Sequence, residues 1–425
     1  MVKNSPQNVL VVGSGGREHA LGWKLSQSMN IGKLYFAPGN AGTDELGQNV
    51  DISDTDVDGI VSLVDKNSID LTVVGPERSL EVGLVDALAK EGRAVFGPSA
   101  AAAKLETSKA FAGEFVEKYS IPHPRTSAFS DPDEAIAFVK EASYPLVIKA
   151  SGLASGKGVF LPDSLDEAVE KIRAISDGAV NGKAGDQILI QERLSGREAS
   201  IIAISDGTTV VSFIPAQDYK RAYDGGIGPN TGGMGSFAPS EMTPQLMDEI
   251  HKTILKPTID GMVNDRTPYK GVLYAGLMLT ADGPKVIEYN ARFGDPETQP
   301  LMTMLDSDLL AIMQASVNGN LTDELVKFKK GASVCVVLAE KGYPGSYKTG
   351  HEIHGLKMVK GNQYAQVFHA GTVKDGNKVL SSGGRVLGVM GYGQDLAQAI
   401  TQAYSIVGKG GVWFEGMEWR KDIGR

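Results

Sequence analysis

Glu288 and Asn290 stand two positions apart in the run Val286-Ile287-Glu288-Tyr289-Asn290, and Arg292 follows two positions later. In a β-strand alternate residues share a face, so this spacing points two oxygen donors in one direction. Mg²⁺ takes a few protein oxygens and completes its octahedron with water and substrate phosphates. The planar fork of Arg292 suits a carboxylate or a phosphate. The alternative for these residues is a salt-bridge network closing the end of a strand.

A second constellation is the run from Val147 to Val159, which places Lys149 inside an apolar strand and follows it with Gly152, Gly156, Lys157 and Gly158. A buried ammonium is costly unless it meets an anion. Lys149 against the α/β phosphates of a nucleotide, with the glycine loop folded over the β/γ phosphates, would meet that need. Gly156-Lys157 lacks the spacing and the Ser or Thr of a P-loop. An ordinary hairpin is the alternative.

Three further segments carry polar groups in suggestive places. The strand ending Gln191-Glu192-Arg193-Leu194 could present backbone groups to an adenine, with Glu198 close enough to reach a ribose; a solvated strand end is the bland alternative. Gln217-Asp218-Tyr219-Lys220-Arg221 runs into a glycine-rich stretch to Gly235, and long charged loops in compact domains are more often functional or disordered. Gly13-Ser14-Gly15-Gly16-Arg17-Glu18 follows a strand and opens a helix, so its amides could receive a phosphate, or it could be a tight connection only. It is not the dinucleotide fingerprint, because Glu18 stands where a third Gly or Ala is needed. Gly39-Asn40-Ala41-Gly42-Thr43 and Gly75-Pro76-Glu77 follow the next strands and could converge on the same edge.

Other chemistries find little support. His351-Glu352-Ile353-His354 lacks the helical spacing of a zinc protease and reads as surface. Cys335, the only cysteine, reads as a buried strand residue, and one cysteine permits no disulfide within the chain.

The elements that must position these residues follow from periodicity. Val9 to Val12, Leu34 to Ala37, Leu71 to Val74 and Ala94 to Phe96 alternate with helical stretches, which predicts a Rossmann-like parallel sheet whose strand ends hold the glycine loops. One helix is expected over 100–119, with Thr107 or Ser108 as a cap, broken by Ile121-Pro122-His123-Pro124. The middle reads as α+β with antiparallel hairpins, one turning at Ala281-Asp282-Gly283. Strands dominate again after Gly331.

A chain of 425 residues suggests two to four domains. The net charge of −9 argues against a broad nucleic-acid or membrane surface. No signal-peptide pattern opens the sequence and no apolar run approaches the ~20 residues of a membrane span, so the cytoplasm is the default expectation.

In this order the motifs closely resemble the phosphoribosylamine–glycine ligase (glycinamide ribonucleotide synthetase) family of ATP-grasp enzymes. The segments that carry the likeness are 13–20, 38–43, 152–159, 217–235, 290–299 and 342–347, and it extends from Asn8 almost to Arg425. The resemblance implies a multidomain α/β and α+β fold: a Rossmann-like domain over 1–104, a split ATP-grasp unit over 105–325 with its smaller ATP lobe at about 122–190, and a small β-rich C-terminal domain over 326–425. It implies ATP-dependent joining of glycine to 5-phosphoribosylamine through glycyl phosphate, with Mg²⁺ or Mn²⁺, in de novo purine biosynthesis.

By the same resemblance Lys109 and Lys149 would contact ATP phosphates, with Gly156, Lys157 and Gly158 closing over them. Gln191, Glu192, Leu194 and Glu198 would hold adenine and ribose, and Glu288 and Asn290 the metal. Arg292, Lys149 and Asp218 are the expected catalytic groups. Gly15, Gly16, Arg17, Glu18, Asn40, Ala41, Pro76, Glu77, Asp218, Lys220, Arg221, Arg292, Asp295 and Glu297 are the expected contacts of glycine and phosphoribosylamine. A monomer or weak oligomer is expected, with neither nucleic acid nor membrane as partner. This sequence departs from the family pattern at Tyr219 (usually His), Ser151 (Asp), Gly226-Ile227 (Asp-Thr) and Ser79 (Pro). Related enzymes that activate bicarbonate or formate, and a nucleotide-sensing protein without catalysis, are the rival readings.

Overall fold

The structure is a computed structural model that describes residues 5–152, 158–179 and 187–425. Its first sheet has five strands in the spatial order Gln48–Asn49, Ile31–Pro38, Gln7–Gly13, Leu71–Val74, Val95–Phe96, and every pairing is parallel. Val9, Leu10, Val11 and Val12 are all fully buried, as expected of a parallel strand covered on both faces. The strand order reverses direction beside Gln7–Gly13, and ligands of open α/β sheets bind at the carboxyl ends of strands flanking such a point. The loops from Gly13 and Gly75 leave from there.

Where one helix was expected over 100–119 there are two, Ala100–Thr107 and Lys109–Lys118. Ser108 between them has an extended backbone, and its hydroxyl accepts the Phe111 amide at 3.2 Å. The cap therefore both ends the first helix and starts the second.

Two antiparallel sheets follow. The smaller runs Thr126–Phe129, Ile188–Glu192, Leu146–Ala150, Val159–Phe160, and the other Val210–Ser212, Arg197–Asp206, Lys270–Thr280, Gly283–Asn290. The hairpin at Ala281-Asp282-Gly283 forms as its residues predict, with Gly283 at φ +105°, a conformation that favours glycine.

The last sheet is built around the wholly buried strand Ala332–Glu340, which contains Cys335, flanked by Arg385–Gly393 and Gly235–Ala238. Gln217–Asp218 adds an edge beyond Gly235–Ala238. Two strands from the glycine-rich hairpin are thus stitched into the C-terminal sheet. Helix Leu396–Ser405 covers it closely, since a Cβ on Gly391 would lie 2.2 Å from the Ala399 carbonyl oxygen.

His351 and His354 are not simple surface residues. His351 Nδ1 lies 3.0 Å from both oxygens of the buried Glu340, and His354 packs on Trp413 with ring centroids 4.5 Å apart. The first and last sheets also meet through histidines, because buried His19 accepts the His369 backbone N–H on Nδ1 at 2.8 Å. Among the described residues no helix is long and apolar enough to cross a membrane.

Candidate active site

A cavity of about 170 Å³ opens between the two antiparallel sheets, with Lys109, Lys149, Gln191, Glu288, Asn290 and Arg292 in its wall. Lys149 comes from strand Leu146–Ala150 and donates to the Ile287 carbonyl at 2.9 Å. Burial lowers its pKa to about 8, against the pull of Glu288, and an arriving phosphate would raise it again by favouring the charged form. Lys109 opens its helix and donates through Nζ to the Gly152 carbonyl at 3.0 Å, and burial lowers its pKa too. Ser151, where the family pattern has Asp, accepts the Ala110 amide at 3.1 Å, so a hydroxyl secures this helix start.

The expected adenine and ribose residues are not all brought together. Gln191 lines the cavity and donates to the Thr126 hydroxyl at 2.9 Å, and Gly158 is also in the wall. Among the described residues the wall does not include Glu192, Leu194 or Glu198. Glu192 faces Arg125 at 3.8 Å and Glu198 faces Lys220 at 3.7 Å. Gly156 and Lys157 lie outside the described residues.

Glu288 and Asn290 do share a face of strand Gly283–Asn290, as alternation requires, and both line the cavity. Lys220 donates to Glu288 at 3.0 Å. Lys220 holds the Glu288 carboxyl at about 2 despite burial, while Lys220, which burial alone would lower, is raised well above the usual lysine value by Glu288 and Asp218. Asn290 Oδ1 accepts from Arg292 at 3.2 Å. An ionised carboxylate beside an amide oxygen is a donor set that fits Mg²⁺. Among the described residues no group of three or more His, Cys, Asp or Glu side chains could hold a metal by itself, so nucleotide phosphates and water would have to complete the shell.

Arg292 is gripped from two sides. Its Nε donates to Glu77 at 3.3 Å, its Nη2 lies 3.0 Å from Glu106, and its Nη1 donates to the Phe293 carbonyl at 3.2 Å. Burial favours the neutral guanidine, but Glu106, Glu77 and Glu297 outweigh it and keep Arg292 charged.

Beyond Lys220 the site becomes acidic. Burial raises the Asp218 carboxyl to about 7, with Lys220 opposing and Glu297, Glu198 and Glu288 adding to the rise. Glu297 is buried and accepts the Tyr274 hydroxyl at 2.5 Å, and Tyr274 in turn meets Ser200 at 2.8 Å. Arg221 turns away, donating to Gly228 within its own hairpin at 2.7 Å.

The three N-terminal loops do converge. Glu18 accepts the Gly15 amide at 2.6 Å and Arg17 at 2.5 Å, and Arg17 donates to the Phe293 carbonyl at 3.1 Å. Asn40 Nδ2 reaches the Ser14 carbonyl at 2.8 Å and the His369 carbonyl at 2.9 Å, with Ala41 buried beside it. Pro76 caps the short helix that carries Glu77 and packs its ring toward Gly13. Glycines make room for these side chains: a Cβ on Gly75 would fall 2.1 Å from the Glu18 carboxylate, and one on Gly16 would fall 2.7 Å from Gln299. Gln299 donates to Asp295 at 2.7 Å, and Arg385 from the C-terminal sheet stands 3.6 Å from the same carboxylate. Arg17 and Arg385 hold Asp295 ionised against its burial.

Glu106, Tyr274 and Arg385 were not foreseen. Glu106 sits among alanines at a helix end and Tyr274 in an apolar strand, and neither has a local signal. Arg385 opens a strand behind the glycine pair Gly383-Gly384, a signal that could have marked a turn but not what the side chain reaches.

Solved structures with this architecture define its class. The crystal structure of phosphoribosylamine–glycine ligase from Thermotoga maritima superimposes with a TM-score of 0.84 at 34% identity, covering 98% of this chain and 99% of that one. The biotin carboxylase domain of Hydrogenobacter thermophilus 2-oxoglutarate carboxylase gives a TM-score of 0.75 at 16% identity over 97% of this chain and 91% of that one, a likeness of fold alone. The fold and the cavity between its sheets are those of an ATP-grasp protein.

The models described as phosphoribosylglycinamide synthetase N domain, ATP-grasp (A) domain and C domain match residues 7–106, 107–298 and 333–425. Phosphoribosylamine–glycine ligase of Caldanaerobacter subterraneus subsp. tengcongensis is 47% identical over 416 residues, 98% of this chain and 99% of that protein. The trifunctional purine biosynthetic protein adenosine-3 of Gallus gallus is 45% identical over 98% of this chain, which spans 42% of that protein. The chain belongs to the phosphoribosylglycinamide synthetase family.

Proposed function

We propose that the protein joins glycine to 5-phosphoribosylamine, converting ATP to ADP and phosphate through glycyl phosphate, and so makes glycinamide ribonucleotide for purine biosynthesis. The observation that carries this reading is the adjacency of two kinds of chemistry. Lys149, Arg292 and the Glu288–Asn290 pair line one cavity, and Lys220, 3.0 Å from Glu288, joins it to the acidic groups Asp218 and Glu297. Phosphoryl transfer and amine attack can follow one another there without release of the intermediate.

In this reading a glycine carboxylate oxygen attacks the γ-phosphorus, and the sugar amine then attacks the acyl carbon and expels phosphate. Lys109 and Lys149 bind the nucleotide phosphates and Arg292 orients the transferred group, so catalysis is mainly positioning and charge neutralisation. Glu288 and Asn290 would hold Mg²⁺ or Mn²⁺, which supplies positive charge to the phosphates. Asp218, held near neutrality, accepts the proton that the attacking amine must lose. Gly156, Lys157 and Gly158 would cover the phosphates, and Gln191, which lines the cavity, would contact the adenine. The loops at Gly15–Glu18, Asn40–Ala41 and Pro76–Glu77, with Asp295, receive the phosphoribosylamine.

The test is ADP release with Mg-ATP, glycine and freshly generated phosphoribosylamine, omitting each in turn and identifying the product by mass. Glycinamide ribonucleotide formed one-to-one with ADP, and only with all three substrates, is the expected result. ADP release indifferent to glycine, or dependent on bicarbonate, would reject the assigned substrates.

A further inference from the structure

The hairpin carrying Asp218 and Lys220 has a second face. Asp218, which ends strand Gln217–Asp218, and Lys220, two residues on, belong to the charged cluster around Glu288, while Tyr219 between them packs into the C-terminal core. These contacts make Tyr219 the rear anchor of the two residues on either side of it.

What holds Tyr219 comes from some two hundred residues further along the chain. Its hydroxyl accepts the Gly424 amide at 2.9 Å, and the Arg420 guanidinium lies 4.9 Å from its ring centroid. Arg420 is 3% exposed and uses all three of its nitrogens. Nε and Nη2 bind Asp422 at 2.7 and 2.6 Å, and Nη1 donates to the Arg221 carbonyl at 3.1 Å. Asp422 also accepts the Gly225 amide at 2.8 Å, and Asp224 accepts the Lys421 amide at 2.7 Å. Ile423 is fully buried where Gly235 leaves room, with its Cδ1 only 2.8 Å from a Cβ placed there.

We propose that residues 420–425 act as a positioning element for the reaction, with Arg420 and Asp422 setting, through Tyr219 and the backbone of 221–225, where Asp218 and Lys220 stand. The inference rests on the proposed function for what those two residues do. It rests on geometry alone for what holds them. A surface ion pair contributes little to stability, but a bidentate pair between buried Arg420 and half-buried Asp422 that also binds the backbone at 221 and 225 fixes their separation. Reacting groups displaced by about 1 Å lose much of their rate advantage.

The experiment compares wild type with Tyr219→Phe and Arg420→Ala. Kinetic constants for glycine, phosphoribosylamine and ATP are measured separately, with hydrogen exchange of residues 217–235 in the protein without substrates. Tyr219→Phe keeps the ring and removes one hydrogen-bond acceptor. Its exchange over 217–235 should quicken, and kcat/KM for the amine substrate or glycine should fall about fivefold, the worth of one ordinary hydrogen bond, with ATP affinity unchanged. Arg420→Ala, which leaves Asp422 without its buried partner, should lower the same constants by on the order of tenfold or more.

Wild-type exchange rates over 217–235 in both variants would overturn the proposal. So would equal losses for all three substrates in step with a lowered Tm, the mark of a merely structural role. Should Arg420→Ala fail to fold, Tyr219→Phe decides by itself. Failure of the wild type to require glycine would sink the substrate assignment, and the exchange comparison would still decide whether 420–425 hold the hairpin.

Discussion

Glu106 and Arg292 form a buried ion pair, Nη2 to Oε1 at 3.0 Å, and the other oxygen of the same carboxylate accepts the Ala291 amide at 2.6 Å. One side chain at the end of helix Ala100–Thr107 therefore aims the guanidinium and fixes the backbone that bears it. Glu77, which opens the short helix after strand Leu71–Val74, completes the grip at 3.3 Å. Burial raises the Glu106 carboxyl, and the charge of Arg292 opposes that rise.

Removing this partner should be felt in both stability and rate. Glu106→Ala leaves a buried cation short of charge, and denaturant unfolding should show a loss of roughly 3–5 kcal/mol. Glu106→Gln keeps an acceptor for Ala291 and should lose less. In both, kcat should fall by on the order of tenfold or more with little change in KM for ATP, because orientation of the phosphoryl-binding fork is what is lost. Unchanged kcat in a folded Glu106→Ala protein would refute the orienting role.

The metal reading makes a separate demand. Glu288→Gln preserves shape but removes the charge that Lys220 holds ionised. The Mg²⁺ concentration for half-maximal ADP formation should rise on the order of tenfold, and excess Mg²⁺ should recover part of the activity. A wild-type Mg²⁺ titration in this variant would remove Glu288 from the metal.

Asp218 predicts a pH dependence. With its carboxyl raised to about 7, a proton-accepting role requires kcat/KM for the amine to climb as pH rises toward 7 and then level off. Asp218→Asn should abolish that limb and lower the plateau by roughly 10²–10⁴. The stability consequence has the opposite sign. The folded state holds this proton more tightly than the unfolded chain does, so the group's contribution falls as pH rises from about 4 to about 7.

The histidine pair predicts an acid-side weakness. Burial lowers the His369 pKa to about 4, and burial with the neighbouring His369 lowers that of His19. Both bind a proton more readily when unfolded, so stability is full above the ordinary histidine value and is lost as pH falls through 6.5 toward 4. His369 alone accounts for roughly 3 kcal/mol at the acid end. Thermal unfolding between pH 7 and 4 should show a steep fall in Tm that His369→Gln flattens; equal slopes would count against it.

How much of this was legible beforehand varies with the distance over which each feature acts. Lys149 in an apolar strand and Glu288 with Asn290 two apart are local patterns, and the strand period decided their faces. The glycine loops were legible because tight turns and close approaches need glycine at those positions. The single helix expected over 100–119 failed for a local reason as well, since the extended backbone of Ser108 ends one helix and its hydroxyl caps the next.

Glu106, Arg385 and Tyr274 were invisible because their meaning is a partner far away in sequence, and so was the pairing of Glu77 with Arg292. Burial of a charge depends on three-dimensional neighbours, and no periodicity encodes that Arg292 would lie between two carboxylates or Arg420 behind Tyr219. By itself the sequence determined the class of chemistry, the parallel sheet with its glycine loops and the faces of the short catalytic strand. Only the tertiary structure decided which charges are paired, and therefore which are held ionised, which are held near neutrality and which residues are aimed from behind. Those outcomes depend on desolvation and on distances of a few ångströms, which exist only once the chain has folded.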